Sequence, residues 1–100
     1  MFVIIWQYQV KPQENERFEE IYSSKGLWTE LFKRSAGYLG TELIQDETDQ
    51  QTYLTIDRWK SKQDFEVFQS VWQAEYKSLD EQCEGLTELE FLLGRWNQKF

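Results

Sequence analysis

The sequence predicts an α+β fold in which four strands form one antiparallel sheet and helices cover one of its faces. Apolar runs that indicate strands alternate with apolar stripes at helical spacing, in the order strand, helix, strand, strand, helix, strand. Right-handed crossovers place both helices of such a chain on the same side of the sheet. The expected result is a ferredoxin-like split βαβ arrangement, and 100 residues leave room for a single domain, 1–100.

The first third of the chain predicts a central strand followed by an interrupted helix. Phe2–Val10 begins as an apolar run and then alternates, which fits a central strand with one wetter side. Pro12 stops the strand and opens a helix over about Gln13–Ser24. Gly26 breaks this helix, and an offset apolar stripe after it predicts a second helical piece that ends before Gly37.

The middle of the chain predicts a β-hairpin. Its strands are Tyr38–Gln45 and Gln51–Trp59, which the polar loop Asp46–Gln50 joins. Because side chains alternate along a strand, the second strand has two faces of different character. One face carries Tyr53, Thr55, Asp57 and Trp59, and the other carries Leu54 and Ile56.

After the hairpin, the sequence predicts a capped helix and a last strand. Ser61 and Asp64 have the spacing of a capping box, in which the serine hydroxyl accepts from the backbone amide three residues on and the acid reaches back. A helical stripe follows at steps of three or four. It comprises Phe65, Phe68, Trp72, Tyr76, Leu79 and Cys83. Leu86–Trp96 alternates Leu89, Phe91 and Leu93 against Glu88 and Glu90, which predicts a strand with one exposed face, and Asn97–Phe100 is a short tail.

One face of the predicted sheet has no helices to cover it. It would carry large aromatic groups such as Trp6, Tyr8, Tyr53 and Trp59, or else their neighbours of opposite parity. Aromatic residues make up 17% of the chain, which is more than a lone domain of this size readily buries. We therefore expect a homodimer in which two such sheets pack face to face.

Charge and hydropathy argue against several classes of partner. The net charge is −7, with 18 acidic and 11 basic residues, whereas nucleic acids and anionic membrane surfaces attract basic proteins. No apolar run approaches the roughly 20 residues of a membrane span. Met1–Val10 reads as a strand rather than a secretory signal, so we expect a cytoplasmic protein.

The chain contains no histidine and one cysteine, Cys83. This composition argues against His-ligated haem, His-containing zinc sites and Ser–His or Cys–His nucleophiles. We expect no cofactor and no metal, and we expect Cys83 to fill space on a helix. Any general base would be a carboxylate with a shifted pKa, a tyrosine or a bound water.

Three segments, Gly26–Trp28, Gly37–Gly40 and Tyr53–Ser61, resemble the antibiotic biosynthesis monooxygenase family of dimeric α+β barrels. The resemblance covers nearly the whole chain in order and spacing, and its motifs are mostly packing residues. It implies the fold, the homodimer and a ligand cavity between the helices and the sheet. Monooxygenases of this family use neither metal, haem nor flavin, because their deprotonated aromatic substrates reduce oxygen themselves. The protein supplies orientation, a base and a dry pocket.

The same family includes haem-degrading enzymes, which this chain resembles locally around its third predicted strand. Their working residues are an asparagine, a tryptophan and an iron-ligating histidine. An ungapped match places these three roles at Trp6, Phe68 and Ser78, in that order. If a small gap is allowed, the histidine role falls at Tyr76 instead. None of the three residue types is retained, which argues against a haem function, although a tyrosine ligand at Tyr76 is chemically allowed.

Asp57 and Tyr76 are the candidate catalytic residues. Asp57 lies between aromatic residues on its strand, where loss of water would raise the pKa of its carboxyl group toward that of a useful base. The alternatives are simple exposure or an ion pair, with Arg58 of another chain, Lys60 or Arg95 as partner. The hydroxyl of Tyr76 could bind or deprotonate a phenolic substrate.

The candidate binding residues are aromatic. Tyr22, Trp72 and Tyr76 lie on inward stripes of the two helical segments, where they would either line a cavity or simply pack. Trp28, after the Gly26 break, is a candidate lid or entrance residue, and Trp59 could stack on a planar ligand or seal the sheet. Phe68 is included because it matches the tryptophan position of the haem-degrading enzymes.

Three hypotheses of different classes follow. The first is a cofactor-independent monooxygenase, or a related small enzyme, that acts on a hydrophobic, aromatic small molecule. The second is a non-catalytic module for small-molecule binding or stress response on the same dimeric scaffold. The third is a purely structural or interaction protein whose aromatic residues serve oligomerisation alone. A well-formed pocket of about 300 Å³ or more that holds a titratable group would favour the first two over the third.

Overall fold

The computed structural model describes residues 1–99. The strands are β1 (Phe2–Val10), β2 (Tyr38–Gln45), β3 (Thr52–Trp59) and β4 (Thr87–Asn97). The helices are α1 (Asn15–Tyr22), α2 (Leu27–Phe32), α3 (Lys62–Val71) and α4 (Gln73–Cys83), and a 3₁₀ turn, Glu84–Leu86, precedes β4. The end of the predicted tail and of the predicted domain, Phe100, lies outside the described residues.

The four strands form one antiparallel sheet in the order β2-β3-β1-β4. Directly opposed residues share a face, so the pairing of Tyr8 with Tyr53 and of Ile5 with Ile56 defines the two sides. The ring of Phe18 on α1 lies 5.2 Å from that of Tyr8 and 4.9 Å from that of Tyr53, so the helices cover the tyrosine side. The predicted α+β, ferredoxin-like sheet with helices on one face is confirmed.

Two helix boundaries differ from the sequence prediction. The first helix begins at Asn15 because Gln13 has a φ of 74°, which lies outside the helical region. The long second helix is divided at Trp72, whose φ of −109° and ψ of 26° interrupt the helical backbone between α3 and α4. The predicted interruption at Gly26 is confirmed, since α1 and α2 lie on either side of it.

Local contacts at the start of α3 fix the helix against the hairpin. Ser61 Oγ accepts a hydrogen bond from the Asp64 backbone amide at 3.1 Å, which confirms the predicted cap. The Asp64 carboxylate in turn accepts from the Ser61 hydroxyl at 2.9 Å. A Cβ atom at Gly37 would lie 2.4 Å from that of Asp64, so only glycine allows this approach.

The core between the helices and the sheet is built largely of aromatic rings. Trp59 is fully buried, and its ring centre lies 5.5 Å from that of Phe32 and 5.2 Å from that of Phe68. Edge and tilted contacts of this kind are favourable beyond the area that they bury. Contacts between aromatic rings therefore connect α1, α2 and α3 to the sheet.

The second sheet face has no helix over it within residues 1–99, and it mixes apolar with polar side chains. The polar ones are Gln7, Gln9, Glu42, Thr52 and Arg58. Of the two alternatives that the sequence left open, the structure has the opposite-parity neighbours there, while Trp6, Tyr8, Tyr53 and Trp59 face the helices. Phe91 and Trp96 on this face are 45% and 53% exposed. The face carries Ile5, Ile44, Leu54, Ile56, Leu89, Phe91 and Trp96.

Among residues 1–99, none of the helices combines the length and the apolar character that a bilayer crossing requires.

Candidate functional site

A cavity of about 230 Å³ lies between the sheet and the helix layer. It holds a titratable group, as the first two hypotheses require, but it is smaller than the expected size of about 300 Å³. It is formed by side chains from all four strands and from α1, α2 and α4. The lining residues are Trp6, Tyr8, Tyr22, Trp28, Phe32, Thr41, Thr55, Asp57, Tyr76, Asp80 and Glu90. Asp80 and Glu90 are exposed, so the cavity opens between α4 and β4. Asp57 and the aromatic rings lie deeper.

Asp57 is a buried carboxylate with one hydrogen bond. Its side chain is only 8% exposed, and Thr41 Oγ1 donates to Oδ1 at 2.6 Å. The Tyr38 hydroxyl lies 2.5 Å from Thr41 Oγ1 and continues the network toward β2. The second oxygen, Oδ2, receives no hydrogen bond from residues 1–99. Asp57 thus presents a free acceptor at the cavity.

Burial raises the pKa of Asp57 to about 6, and the Thr41 hydrogen bond opposes this shift. The exposure proposed as an alternative is therefore wrong. The ion pairs within residues 1–99 join Glu30 to Lys33 and Glu42 to Arg58, so the Asp57 carboxylate forms no ion pair with Lys60, Arg95 or any other cation among these residues. A carboxylate with this pKa is mostly ionised at neutral pH and can still accept a proton.

The tyrosines of the cavity are neutral hydrogen-bonding groups. Burial, followed by the charges of Asp80 and Asp57, raises the pKa of Tyr76 to about 12. Burial likewise raises the pKa of Tyr22 and of Tyr8 above the usual range. A phenol with a raised pKa is a poor base at neutral pH, so these hydroxyls suit hydrogen bonding to a ligand rather than proton removal.

The aromatic wall contains one polar group without a regular partner. Trp28 is buried, its ring meets that of Tyr76 edge-on at 5.0 Å, and within residues 1–99 its indole N–H makes no hydrogen bond of normal geometry. Burial raises the pKa of the Cys83 thiol, and the nearby Tyr22 hydroxyl and Trp28 N–H oppose that shift. Cys83 is a buried, free thiol on α4, as predicted.

Four of the predicted site residues line the cavity, namely Tyr22, Trp28, Asp57 and Tyr76. The other three lie elsewhere. Trp59 and Phe68 are fully buried among the core rings, where they contact each other and leave no face for a ligand. Trp72 is half-buried at the α3–α4 junction, under the Arg34 guanidinium at 4.8 Å.

Sequence reasoning did not assign the remaining lining residues to the site. The alternation of side chains along β1 could have assigned Trp6 and Tyr8 to the cavity side, since they share a strand face. Asp80 could have been assigned from its position one helical turn beyond Tyr76. Glu90 was expected on the exposed face of the last strand. Its pairing with Tyr8 instead turns it toward the helix side, at the cavity opening.

In the part of the chain that the structure describes, no three histidine, cysteine, aspartate or glutamate side chains converge as a metal site.

The fold and the cavity define a ferredoxin-like α+β domain with an aromatic ligand pocket between helices and sheet. Residues 1–71 match the model of the antibiotic biosynthesis monooxygenase family, and the chain belongs to this family. The resemblance noted in the sequence is thereby confirmed. No curated protein matches the chain significantly.

Solved structures of similar fold come from several bacteria. A candidate antibiotic biosynthesis monooxygenase of Nitrosomonas europaea is 17% identical, with a TM-score of 0.74 and all of both chains covered. SnoaB of Streptomyces nogalater, a cofactor-independent oxygenase, is 15% identical, with a TM-score of 0.74 over 99% of this chain and 93% of that one. PA3566 of Pseudomonas aeruginosa is 18% identical, with a TM-score of 0.70 over 99% and 94%. These likenesses establish the fold.

Proposed function

We propose that the protein is a cofactor-independent monooxygenase that acts on a hydroxylated aromatic molecule, with Asp57 as the base. The observation that carries this proposal is the buried carboxylate with a free oxygen at an aromatic cavity. Its pKa of about 6 suits a base that works near neutral pH. Family membership supports the reaction class, and SnoaB, a cofactor-independent oxygenase, has a similar fold.

The reaction would proceed with the substrate as the source of electrons. Asp57 takes a proton from an activated CH₂ group, and the resulting carbanion, delocalised over the rings, gives one electron to O₂. Recombination forms a C–O bond, and the hydroperoxide loses water to leave a ketone. One oxygen atom ends in the product and one in water, and the CH₂ group is oxidised to C=O. The enclosed aromatic walls would limit competing reactions with solvent.

The direct test measures oxygen consumption with 1,8-dihydroxyanthrone, whose CH₂ group is acidified by the neighbouring rings and ketone. The assay uses protein in a chelator-containing, flavin-free buffer, with ¹⁸O₂ to trace the oxygen atoms. We expect protein-dependent formation of the anthraquinone with one labelled atom. Binding without any turnover would favour the second hypothesis, a non-catalytic binding module, and would overturn the proposed reaction.

Tyr76→Phe tests whether the Tyr76 hydroxyl holds the ligand. Within residues 1–99 this hydroxyl makes no hydrogen bond, so its loss should leave the free energy of unfolding unchanged within about 0.5 kcal/mol. We expect the affinity for a phenolic ligand, measured by calorimetry, to fall about tenfold, because one hydrogen bond is lost.

The matched control for that variant is Tyr53→Phe. The Tyr53 hydroxyl donates to the Glu19 carboxylate and accepts from Asn15, and it lies outside the cavity. This control should lose about 1 kcal/mol of stability and keep the wild-type affinity. Equal affinities of Tyr76→Phe and the wild type for phenolic ligands would remove Tyr76 from the site.

We further propose that the open sheet face forms a homodimer. The apolar side chains of β1, β2, β3 and β4 on that face have no covering layer among residues 1–99. An interface between two such faces would bury on the order of 2,000 Å² or more. Light scattering should then give a particle of twice 12.2 kDa at micromolar concentration.

Phe91→Glu tests this interface. Phe91 is 45% exposed on the open face, so a charge there costs the single subunit little but would be buried between two sheets. We expect dissociation to monomers in sedimentation analysis. The control is Val67→Glu, since Val67 is 54% exposed on α3, away from this face. Wild-type protein that stays monomeric, or Phe91→Glu that stays dimeric, would contradict the proposal.

A further inference from the structure

The cavity is acidic throughout. Three of its lining residues are carboxylic acids, Asp57 in its depth and Asp80 and Glu90 at its opening, and none is lysine or arginine. Burial, with the charges of Asp80 and Glu84, raises the pKa of Glu90, which is the response expected where negative charges crowd. The charged side chains that line the cavity therefore all carry the same sign.

None of these three carboxylates forms an ion pair within residues 1–99. Arg95, on the same side of β4, holds its guanidinium 5.5 Å from the ring centre of Phe65 and does not line the cavity. Its charge lowers the pKa of Tyr76 and so offsets, in part, the opposite effect of the three carboxylates there. Asp57 is more than nine-tenths buried, and its Oδ2 accepts no hydrogen bond from the described residues, so a charge-bearing acceptor is left for the ligand.

The other walls are mostly rings, with two threonines. The rings are Trp6, Tyr8, Tyr22, Trp28, Phe32 and Tyr76, and the threonines are Thr41 and Thr55. Aromatic faces attract cations, and tryptophan attracts them most strongly. The carboxylates do not converge as a metal site in the described part of the chain, so their charge is distributed around an organic-sized volume. An anionic ligand would meet repulsion from the opening to the floor.

We propose that the ligand of this cavity carries an organic cation, an amine or quaternary ammonium group attached to its aromatic body. The ammonium group would lie against the rings and be balanced by Asp57, Asp80 and Glu90. This inference rests on the proposed function and specifies its substrate class. When Asp57 takes a proton, its negative charge passes to the substrate, and the substrate's own cation then offsets that charge. An uncharged or anionic substrate would lack this compensation.

The test compares three phenols of similar shape. They are (4-hydroxyphenyl)trimethylammonium, its neutral isostere 4-tert-butylphenol and the anion 4-hydroxybenzenesulfonate. Dissociation constants are measured for the wild type by calorimetry and tryptophan quenching at pH 7.5 and constant ionic strength. We expect the cation to bind about tenfold or more tightly than the neutral phenol, and the anion to bind most weakly. A cation that binds no better than the neutral phenol, or no binding at all, overturns the proposal.

Variants then tie the preference to the cavity. Asp80→Asn and Glu90→Gln should each reduce the ratio of cation to neutral affinity several-fold while leaving the neutral phenol unchanged, because each removes one charge at the opening. The matched control, Glu66→Gln on the exposed surface of α3, should keep the wild-type ratio. A ratio that falls equally in all three variants would attribute the preference to net charge and overturn the site.

The proposed cationic ligand and the proposed reaction can be contradicted independently by these experiments. The affinity ratio is an equilibrium quantity that needs no oxygen, so it can hold even if no substrate is oxidised. Conversely, oxidation of neutral 1,8-dihydroxyanthrone together with equal affinities for the three phenols would keep the proposed reaction and reject the cationic ligand.

Discussion

Asp57→Asn should make the protein more stable at neutral pH while it removes turnover. The buried carboxyl group has a pKa of about 6 instead of the ordinary 3.8, so its ionisation at pH 7 costs the folded state on the order of 3 kcal/mol. Asparagine keeps the acceptor for the Thr41 hydroxyl and carries no charge. We expect a gain of up to about 3 kcal/mol in the free energy of unfolding.

The pH dependence has a definite sign. Because the folded-state pKa is raised, Asp57 keeps its proton to higher pH in the folded chain than in the unfolded one. Its favourable contribution is complete below about pH 4 and is lost as the pH rises through about 6. Denaturant unfolding of both proteins between pH 4 and 8 should therefore show a difference that grows with pH. The pKa of Glu90 is also raised, but its contribution cancels in the difference between the wild type and Asp57→Asn, because both proteins contain Glu90.

Turnover should fall by a factor of roughly 10² to 10⁴ in the same variant, the usual contribution of a general base. In the wild type, the rate should rise with pH through about 6, since the base works in its ionised form. Thr41→Val provides the control. It removes the hydrogen bond that holds the pKa of Asp57 down, so the rising limb should move to higher pH. Full activity of Asp57→Asn would exclude Asp57 as the base.

Trp59→Ala should cost about 3 to 5 kcal/mol of stability, the usual range for emptying a buried tryptophan site. Trp59 is fully buried, and its ring contacts those of Phe32, Phe65 and Phe68. A residue that stacked on a ligand would instead lose affinity with little change in stability. Urea unfolding and ligand titration of the folded variant separate the two outcomes.

Trp59→Phe is the companion variant. Within residues 1–99 the buried indole N–H of Trp59 has no hydrogen-bond partner, so phenylalanine removes an unsatisfied donor and keeps a ring in the core. The loss of stability should be well below that of Trp59→Ala. If either variant lost more free energy of ligand binding than free energy of unfolding, Trp59 would be a binding residue.

The order and type of the elements could be predicted because each is specified locally. Alternation identified the strands, Gly26 identified the helix break, and Ser61 identified the start of α3. The boundary at Asn15 could not be predicted, since the positive φ of Gln13 has no sequence signal as strong as glycine. Nor could the interruption at Trp72, because an uninterrupted apolar stripe runs through it.

The site was harder to predict than the fold because a helical stripe does not distinguish core from cavity. Phe68, Trp72 and Tyr76 lie on one stripe, yet Phe68 is enclosed by rings, Trp72 lies at a helix junction and Tyr76 lines the cavity. Asp57 could be selected because a carboxylate among aromatic residues is unusual. Glu90 was missed because strand register decides its side, and the register was unknown.

The two faces of β3 give this strand an unusual intolerance to insertion or deletion. Tyr53, Thr55, Asp57 and Trp59 point to the cavity and the core, while Leu54 and Ile56 point to the open face. A single added or lost residue would exchange the two sets over the rest of the strand, carrying Asp57 to the outside and Ile56 toward the ligand. In such a sheet, evolution can change side chains one at a time on either surface, but strand length is fixed jointly by both.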